Sequence, residues 1–233
     1  MSAIRPLVLA HRGACHRVRE NTVEAFALAR ELGADGIELD VRRSADDVLI
    51  VHHDAEVPEV GLLAAQPFEG IRAALPWLPT LAEALEVCTG WLVNVEIKCL
   101  PWEADADPEH TVARAAVDLV RDRDLRVVMS SFDVSSVDAV RTYAPELETA
   151  LLVHGQDLAS AAALTRERGH QWLNPDRKAV LAAPERAVAI ARGDGLRLDV
   201  WTVDDPDEIS TLARAGVDAI ITNEPDTALA ALV

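Results

Sequence analysis

Short apolar segments alternate with longer helix-like segments along most of this chain. Each short segment is rich in Val, Ile and Leu, which is typical of buried strands. Eight segments are predicted as strands, at residues 7–10, 36–41, 92–97, 126–130, 149–153, 171–174, 196–202 and 219–222. Apolar residues at helical spacing predict the helices between them, at residues 22–32, 81–88, 111–121, 134–142, 158–168, 185–191, 206–215 and 225–232.

Repeated strand-then-helix order favours an α/β fold with a parallel sheet. Eight such units in 233 residues fit a closed (β/α)8 TIM barrel better than an open doubly wound sheet. Neither glycine-rich nucleotide-binding motif is present, which removes the usual support for the open sheet. A further extended run follows the second strand at residues 48–51, and residues 55–79 are interrupted by Pro and Gly. We predict that residues 55–79 are a short irregular insertion in a single domain spanning residues 1–233.

In such a barrel, chemistry lies at the carboxyl ends of the strands. Side chains two residues apart on a strand share a face, so Glu38 points the same way as Asp40, and Glu96 points the same way as Asn94 and Lys98. One lysine leaves the three carboxylates with a surplus of negative charge. A divalent cation would neutralise that surplus, and oxygen-only ligands favour Mg²⁺ or Ca²⁺ over zinc. The alternative is a buried ion network, which is costly without excellent pairing.

Two of the seven histidines, His11 and His53, each follow an apolar run and precede a turn. A lone histidine is usually a packed or surface residue, but two beside a carboxylate cluster favour proton transfer. His52 should face the opposite side from His53 and is interpreted as structural. His154 ends the fifth strand and is an open candidate for lining the site. The remaining three histidines look like surface residues: His16, His110 and His170.

The cations near these strand ends also carry information. The chain has two lysines, Lys98 and Lys178, and twenty arginines, so a lysine at a strand end suggests a compact charge for a phosphate oxygen or a carboxylate. Arg12 directly follows His11, and an arginine can hold an anionic phosphate. Trp201, near the end of the seventh strand, is either an apolar wall for the alcohol part of a substrate or a core residue.

The net charge of −17 argues against binding to nucleic acid and against stable association with an anionic membrane. No apolar stretch approaches the roughly 20 residues of a membrane span, and the N-terminal apolar run is too short for a signal peptide. We therefore expect a cytoplasmic protein with a small-molecule substrate; the oligomeric state stays open. The three cysteines lack metal-site spacing and indicate free thiols, although Cys15 lies near His11 and leaves Cys–His chemistry conceivable.

The order of motifs along nearly the whole chain resembles the glycerophosphodiester phosphodiesterase family. Each motif is weak alone, whereas together they are highly specific. They are His11-Arg12-Gly13, Glu38-Leu39-Asp40, His53-Asp54, Glu96-Ile97-Lys98, Trp201-Thr202-Val203 and Ile221-Thr222-Asn223-Glu224-Pro225.

The resemblance implies a TIM barrel that hydrolyses glycerophosphodiesters to an alcohol and sn-glycerol 3-phosphate. Carried over by position, it implies an acid/base pair, a set of ligands for a divalent cation, and phosphate contacts. The acid/base pair would be His11 and His53. The ligands of the cation would be Glu38, Asp40 and Glu96, and the phosphate contacts would be Arg12 and Lys98. It leaves open which histidine is the acid, and whether a glycerol hydroxyl or water attacks first.

The chain departs from the family pattern in two places. Asp46-Asp47 stands where family members usually have Asp-Gly, and the stretch after Asp54 is short and lacks the usual Arg-Thr and glycine-rich run. The preferred alcohol is therefore open. An alternative function is lysophospholipase D or phospholipase-like cleavage of a lipid phosphodiester, which the sequence disfavours because it has no evident apolar patch or basic rim for a membrane.

Overall fold

The structure, a computed structural model, describes residues 5–233; residues 1–4 of the predicted domain lie outside the described residues. Its strands are β1 Leu7–His11, β2 Gly36–Arg43, β3 Leu49–Val51, β4 Glu56–Val57, β5 Gly61–Leu62, β6 Leu92–Ile97, β7 Arg126–Ser131, β8 Glu148–Val153, β9 Trp172–Pro175, β10 Arg197–Val200 and β11 Ala219–Thr222. Its α-helices are α1 Val23–Glu31, α2 Phe68–Ala74, α3 Leu81–Glu86, α4 Thr111–Val120, α5 Val134–Tyr143, α6 Leu158–Arg168, α7 Arg177–Leu181, α8 Pro184–Gly193, α9 Pro206–Ala215 and α10 Pro225–Ala231.

Eight parallel strands close into a barrel in the order β1-β2-β6-β7-β8-β9-β10-β11. The ring is closed because β1 pairs with both β2 and β11. Strand β3 pairs antiparallel with β2 outside the ring. The predicted (β/α)8 TIM barrel is therefore confirmed, together with the extra strand after β2. That the chain forms one domain stays a prediction.

Alternation along the strands decides what faces the barrel interior. On β2, Ile37, Leu39 and Val41 are buried in the apolar layer between strands and helices, so Glu38 and Asp40 take the other face. A small apolar cluster fills the interior, formed by Leu9, Leu92, Val128, Ala150, Trp172, Ala219 and Ile221. Strand β2 and the carboxyl end of β6 thereby carry four buried ionisable side chains, Glu38, Asp40, Glu96 and Lys98, and β10 carries a further buried acid, Asp199.

The connection between β1 and α1 packs tightly against the first turn of α1. Gly13 has a φ of +81°, and a Cβ there would lie 2.6 Å from the backbone carbonyl carbon of Ala25. Thr22 caps α1 by accepting a hydrogen bond from the Ala25 backbone amide at 3.1 Å. This close approach requires glycine, and it fixes the turn that carries His11 and Arg12.

Several local expectations need correction. Residues 55–79 are not wholly irregular, because they contain the β4–β5 hairpin, a short 3-10 turn at Leu63–Ala65 and helix α2. Helix α7 was not predicted, since five residues are too few to show a helical period. Strand β10 ends at Val200, and Trp201 beyond it makes only an isolated bridge.

The surface position predicted for His170 is wrong. His170 is buried, with Nδ1 2.9 Å from Thr149 Oγ1 and Nε2 3.2 Å from Asp138 Oδ1. Asp47, in contrast, adopts a φ of +59°, the left-handed geometry that the usual glycine would supply at this turn. None of the helices within residues 5–233 combines the length and the apolar character needed to span a bilayer.

Candidate active site

Three carboxylates meet at the end of two neighbouring strands. Asp40 of β2 stands opposite Glu96 of β6 in the parallel register, and Glu38 lies two residues before Asp40 on the same face. All three are buried, and one carboxylate oxygen from each lies within 4.8 Å of the others. The predicted convergence is therefore present in the structure.

Two cations lie against this carboxylate cluster. Lys98 Nζ is 2.9 Å from Glu96 Oε1 and 3.8 Å from Asp40 Oδ1. Arg12 Nε is 3.1 Å from Asp40 Oδ2, while Arg12 Nη1 donates to Glu20 Oε1 at 2.9 Å. Two positive charges thus face three carboxylates. Lys98 lies on the same face as Glu96, as strand alternation predicted.

Burial and charge act differently on the three acids. Burial raises the pKa of Glu38 well above its usual value, and the nearby charges of Asp40 and Glu96 raise it further. Burial likewise raises the pKa of Glu96 to about 7. Burial also opposes ionisation of Asp40, but the charges of Arg12 and Lys98 hold its pKa below the usual value. Grouped acids of this kind ionise together only beside additional positive charge.

The donor set fits a divalent metal ion. Glu38 Oε1 and Asp40 Oδ1 are buried and accept no hydrogen bond from any residue between 5 and 233. Unsatisfied buried carboxylate oxygens are costly, and a cation between them would satisfy both. All three donors are oxygens, the ligands that Mg²⁺ and Ca²⁺ prefer.

His11 is held by a chain of hydrogen bonds from two other loops. Its Nδ1 lies 2.7 Å from Asn223 Oδ1, and Asn223 Nδ2 donates to Asp204 Oδ2 at 2.8 Å. A carboxylate can only accept, so Asp204 fixes the orientation of the amide and Asn223 presents its oxygen to His11. The hydrogen therefore resides on Nδ1, and the lone pair of Nε2 faces the carboxylates, 3.9 Å from Glu38 Oε2. Burial and the charge of Arg12 lower the pKa of His11.

His53 is held differently. Its Nδ1 lies 2.7 Å from Asp54 Oδ1, an exposed carboxylate of the next residue. Burial lowers the pKa of His53, Asp40 acts in the opposite direction, and Lys98 and Arg12 lower it further. One histidine is thus backed by an amide and the other directly by a carboxylate.

A cavity of about 190 Å³ opens between these groups. It is polar on the side of β1, β2 and β6 and largely apolar on the opposite side. Its lining comprises His11, Arg12, Glu38, His53, Asn94, Glu96, Lys98, Phe132, Leu152, Trp201, Thr202 and Ile221. Of the eight sequence-predicted site residues, seven line the cavity, and Asp40 contacts two of those seven, Arg12 and Lys98.

Trp201 occupies the apolar wall of the cavity. Its Nε1 donates to the carbonyl oxygen of Asn174 at 2.7 Å, and Phe132 meets its ring edge-on at 5.5 Å between centroids. His154 stands 5.9 Å from the same ring but is largely exposed at the rim. Trp201 and Phe132 therefore line the apolar wall of the cavity, whereas His154 does not.

Comparison with known proteins identifies the chain's relatives. The glycerophosphoryl diester phosphodiesterase family model matches residues 11–227. A glycerophosphodiester phosphodiesterase from Caldanaerobacter subterraneus subsp. tengcongensis is 32% identical over 248 residues, covering 96% of this chain and 96% of that protein. The chain belongs to the glycerophosphodiester phosphodiesterase family. The predicted family and enzyme class are therefore confirmed.

Solved structures of similar proteins share the barrel. The glycerophosphodiester phosphodiesterase from Thermotoga maritima is 25% identical with a TM-score of 0.83, covering 97% of this chain and 98% of that chain. An Oleispira antarctica phosphodiesterase, solved in complex with the product sn-glycerol-3-phosphate, is 23% identical with a TM-score of 0.84, covering 97% and 96%. At that lower identity the similarity shows the fold.

Several residues around the site of this family member escaped the sequence reasoning. Asp204 and Asp54 orient the two histidines, and Asn21 Nδ2 donates to Asp40 Oδ2 at 2.8 Å. Asn94 is different, because strand alternation had placed it on the carboxylate face; its Oδ1 and Nδ2 are buried at the cavity and have no hydrogen-bond partner within the described chain. A usable signal did exist for the asparagines, because three of the four in the sequence lie near a strand end or in the first loop: Asn21, Asn174 and Asn223.

Burial disfavours nucleophilic chemistry by the cysteines of the enzyme. Cys15 Sγ lies 3.2 Å from Asn223 Oδ1, within reach of donating a hydrogen bond, and burial raises the pKa of its thiol to about 11. Burial raises the pKa of Cys88 and Cys99 to about 12. A protonated thiol is a poor nucleophile, so the conceivable Cys–His pair at Cys15 is disfavoured.

Proposed function

We propose that this enzyme is a metal-dependent glycerophosphodiester phosphodiesterase that releases an alcohol and sn-glycerol 3-phosphate. One observation carries the proposal: three buried carboxylates, two histidines and two cations converge at a single cavity, Asp40 standing behind Arg12 and Lys98 of its lining. The product bound by the Oleispira antarctica relative supports the same substrate class. The substrate is a small molecule, and the cytoplasmic location stays a prediction.

The proposed metal ligands are Glu38, Asp40 and Glu96, with Mg²⁺ or Ca²⁺ as the cation. A bound divalent ion would polarise the phosphoryl group and neutralise charge that develops on its oxygens. Arg12 and Lys98, already beside the carboxylates, would hold the non-bridging phosphate oxygens. The unpaired amide of Asn94 is a candidate contact for a glycerol hydroxyl.

We assign the general base to His11 and the general acid to His53. His11 keeps its hydrogen on Nδ1 for Asn223, so Nε2 is free to take a proton from the attacking hydroxyl group or water. His53 has Asp54 behind it, and a carboxylate stabilises an imidazolium better than an amide does. The anionic substrate adds negative charge beside His53, which favours its protonated form before it protonates the leaving alkoxide.

Activity assays of the purified enzyme test this proposal. Glycerophosphocholine and glycerophosphoethanolamine are each incubated with Mg²⁺, with Ca²⁺ and with EDTA, and sn-glycerol 3-phosphate is measured. We expect release that depends on a divalent ion. His11→Ala and His53→Ala should each lower kcat by at least about 10², whereas the exposed His16→Ala serves as the matched control. Near-normal turnover in either site variant would contradict its assignment.

One observation favours a second substrate class, the lysophospholipids. A groove of about 470 Å³ adjoins the catalytic cavity and shares Phe132 and Leu152 with it. Apolar side chains dominate its lining, including Leu151, Val153 and Leu164, and the indole of Trp102 stands 69% exposed beside it. A groove continuous with the apolar wall suits the acyl chain that a lysophospholipid carries on its glycerol.

Lysophosphatidylcholine, assayed below its critical micelle concentration, distinguishes the two classes. Cleavage by a lysophospholipase D yields choline and a lysophosphatidic acid, whereas glycerophosphocholine yields choline and glycerol 3-phosphate. A higher kcat/KM for lysophosphatidylcholine would favour the lipid substrate. The absence of choline release from it would leave glycerophosphodiesters as the substrate class.

A further inference from the structure

A buried arginine lies next to the site but is not part of it. Arg42 follows Asp40 by two residues on β2, so it shares the face that carries the carboxylates. It is 1% exposed, which is rare for an arginine without a specific role.

Acceptors from two separate loops surround the guanidinium of Arg42. Its Nε donates to the carbonyl oxygen of His53 at 2.7 Å. Its Nη1 donates to Asp105 Oδ2 at 2.6 Å and to Glu103 Oε2 at 3.0 Å, and its Nη2 donates to Glu103 Oε1 at 3.1 Å. Since every nitrogen of the fork is bonded within the protein, Arg42 is not positioned to bind the phosphate of a substrate.

His53 depends on its backbone for its position. Its imidazole contacts the side chain of Asp54, but that carboxylate is its own neighbour in sequence and is 70% exposed, so it gives little anchorage to the barrel. The turn is tied to β2 by the backbone bond from His52 N to Asp40 O at 3.0 Å. The bond from Arg42 to the carbonyl of His53 is the second tie.

We propose that Arg42 is a positioning residue that fixes His53 for catalysis, with Glu103 and Asp105 holding the guanidinium in its orientation. Bidentate pairing with Glu103 and a bond to buried Asp105 leave the guanidinium little freedom. The connection between β6 and α4, which carries both acids, is thereby joined through Arg42 to the acid histidine. A misplacement of about 1 Å in a catalytic group can cost roughly 10²-fold in rate.

The test compares Arg42→Gln with Arg43→Gln. Arg43 is the next residue of the strand, and its exposed pairing with Asp47 and Thr111 makes it a matched control. The inference rests on the proposed role of His53. With glycerophosphocholine and saturating Mg²⁺, we expect Arg42→Gln to lower kcat about tenfold or more with KM within about twofold, because Arg42 touches no substrate. Arg43→Gln should leave both unchanged.

A double-mutant cycle separates positioning from general destabilisation. Combined with His53→Ala, Arg42→Gln should cause no further loss of kcat, whereas combined with His11→Ala it should cause a further loss. Equal losses in both backgrounds would overturn the proposal. Should Arg42→Gln fold poorly, Glu103→Gln replaces it in the same cycle, since Glu103 is partly exposed.

Amide hydrogen exchange of residues 52–55 gives a readout that is independent of activity. Exchange should accelerate in Arg42→Gln and not in Arg43→Gln. Unchanged exchange in Arg42→Gln would overturn the proposal. If His53→Ala alone retains full turnover, the assignment of His53 in the proposed function is wrong, and the exchange comparison still decides whether Arg42 anchors the turn.

Discussion

Asn223 and His11 are 212 residues apart in the chain, yet Asn223 Oδ1 lies 2.7 Å from His11 Nδ1. The contact exists because β11 closes the barrel against β1. The amide is oriented in turn by Asp204, which receives hydrogen bonds from both the backbone and the side chain of Asn223. The atom of His11 that we propose as the proton acceptor, Nε2, is thus determined by contacts that follow the last two strands of the barrel.

Asn223→Ala should lower kcat by about tenfold to a hundredfold, because His11 loses the partner that keeps its hydrogen on Nδ1. Initial rates with glycerophosphocholine measure the effect. Calorimetric titration with Mg²⁺ is the control, since Asn223 makes no contact with the carboxylate cluster and metal affinity should stay unchanged. Wild-type kcat in the variant would contradict the role given to the amide.

Glu96→Gln should weaken divalent-ion affinity by at least about tenfold, because it removes one charged oxygen ligand while keeping the shape of the side chain. Isothermal titration calorimetry with Mg²⁺ and Ca²⁺ gives the dissociation constants directly. Glu86→Gln makes the same change of charge at an exposed position and should not alter them. Equal affinities in the two variants would exclude Glu96 as a ligand.

Asp199→Asn should stabilise the protein increasingly as pH rises. Asp199 is buried inside the barrel, and burial, together with the charge of Asp218, raises its pKa from 3.8 to about 8. The unfolded chain loses this proton near pH 4 while the native chain keeps it until about pH 8. The native state therefore binds more protons throughout that interval, and wild-type stability falls across it.

We expect the stability advantage of Asp199→Asn over the wild type to grow by roughly 4 kcal/mol between pH 5 and pH 8, since one proton contributes about 1.4 kcal/mol per pH unit. Urea unfolding at the two pH values measures it. The exposed variant Asp122→Asn controls for the change in net charge. An advantage that is the same at both values would mean that Asp199 does not carry the proton.

Trp102→Ser tests the apolar groove as an acyl-chain site. Loss of the indole should lower kcat/KM for lysophosphatidylcholine by about tenfold, the effect of removing roughly 1.4 kcal/mol of apolar contact. The value for glycerophosphocholine should stay unchanged. Tyr143→Ser removes another exposed aromatic ring away from the groove and is the matched control. A parallel loss with both substrates would argue against a chain-binding groove.

The sequence predicted the carboxylate cluster because strand alternation is a local property. Glu38, Asp40 and Glu96 each follow from a two-residue period on β2 or β6, and the pairing of consecutive parallel strands brings them together. The same reasoning reaches Lys98. Alternation also places Arg42 on this face, since it lies two residues beyond Asp40. Nothing in the local sequence indicated that acids from the β6–α4 connection would surround it.

The features that sequence reasoning missed depend on contacts between distant parts of the chain or on very short elements. The Asp204–Asn223–His11 chain requires the last strand to meet the first, which no local period reveals. The burial of His170 could not be predicted, because its partner Asp138 lies on helix α5, well before it in the chain. Helix α7 is too short to leave a periodic signal. The positions of His11 and His53 beside the carboxylate cluster favoured proton transfer, and the family resemblance added the acid/base pairing that we propose.

The charged side and the apolar side of the cavity come from two consecutive parts of the chain. Apart from the support that Asn223 and Asp204 give to His11, the reactive groups come from residues 11–98, whereas the apolar wall of Phe132, Leu152, Trp201 and Ile221 comes from the later strands. Substitutions in that later part can therefore retune which alcohol is accepted without disturbing bond cleavage.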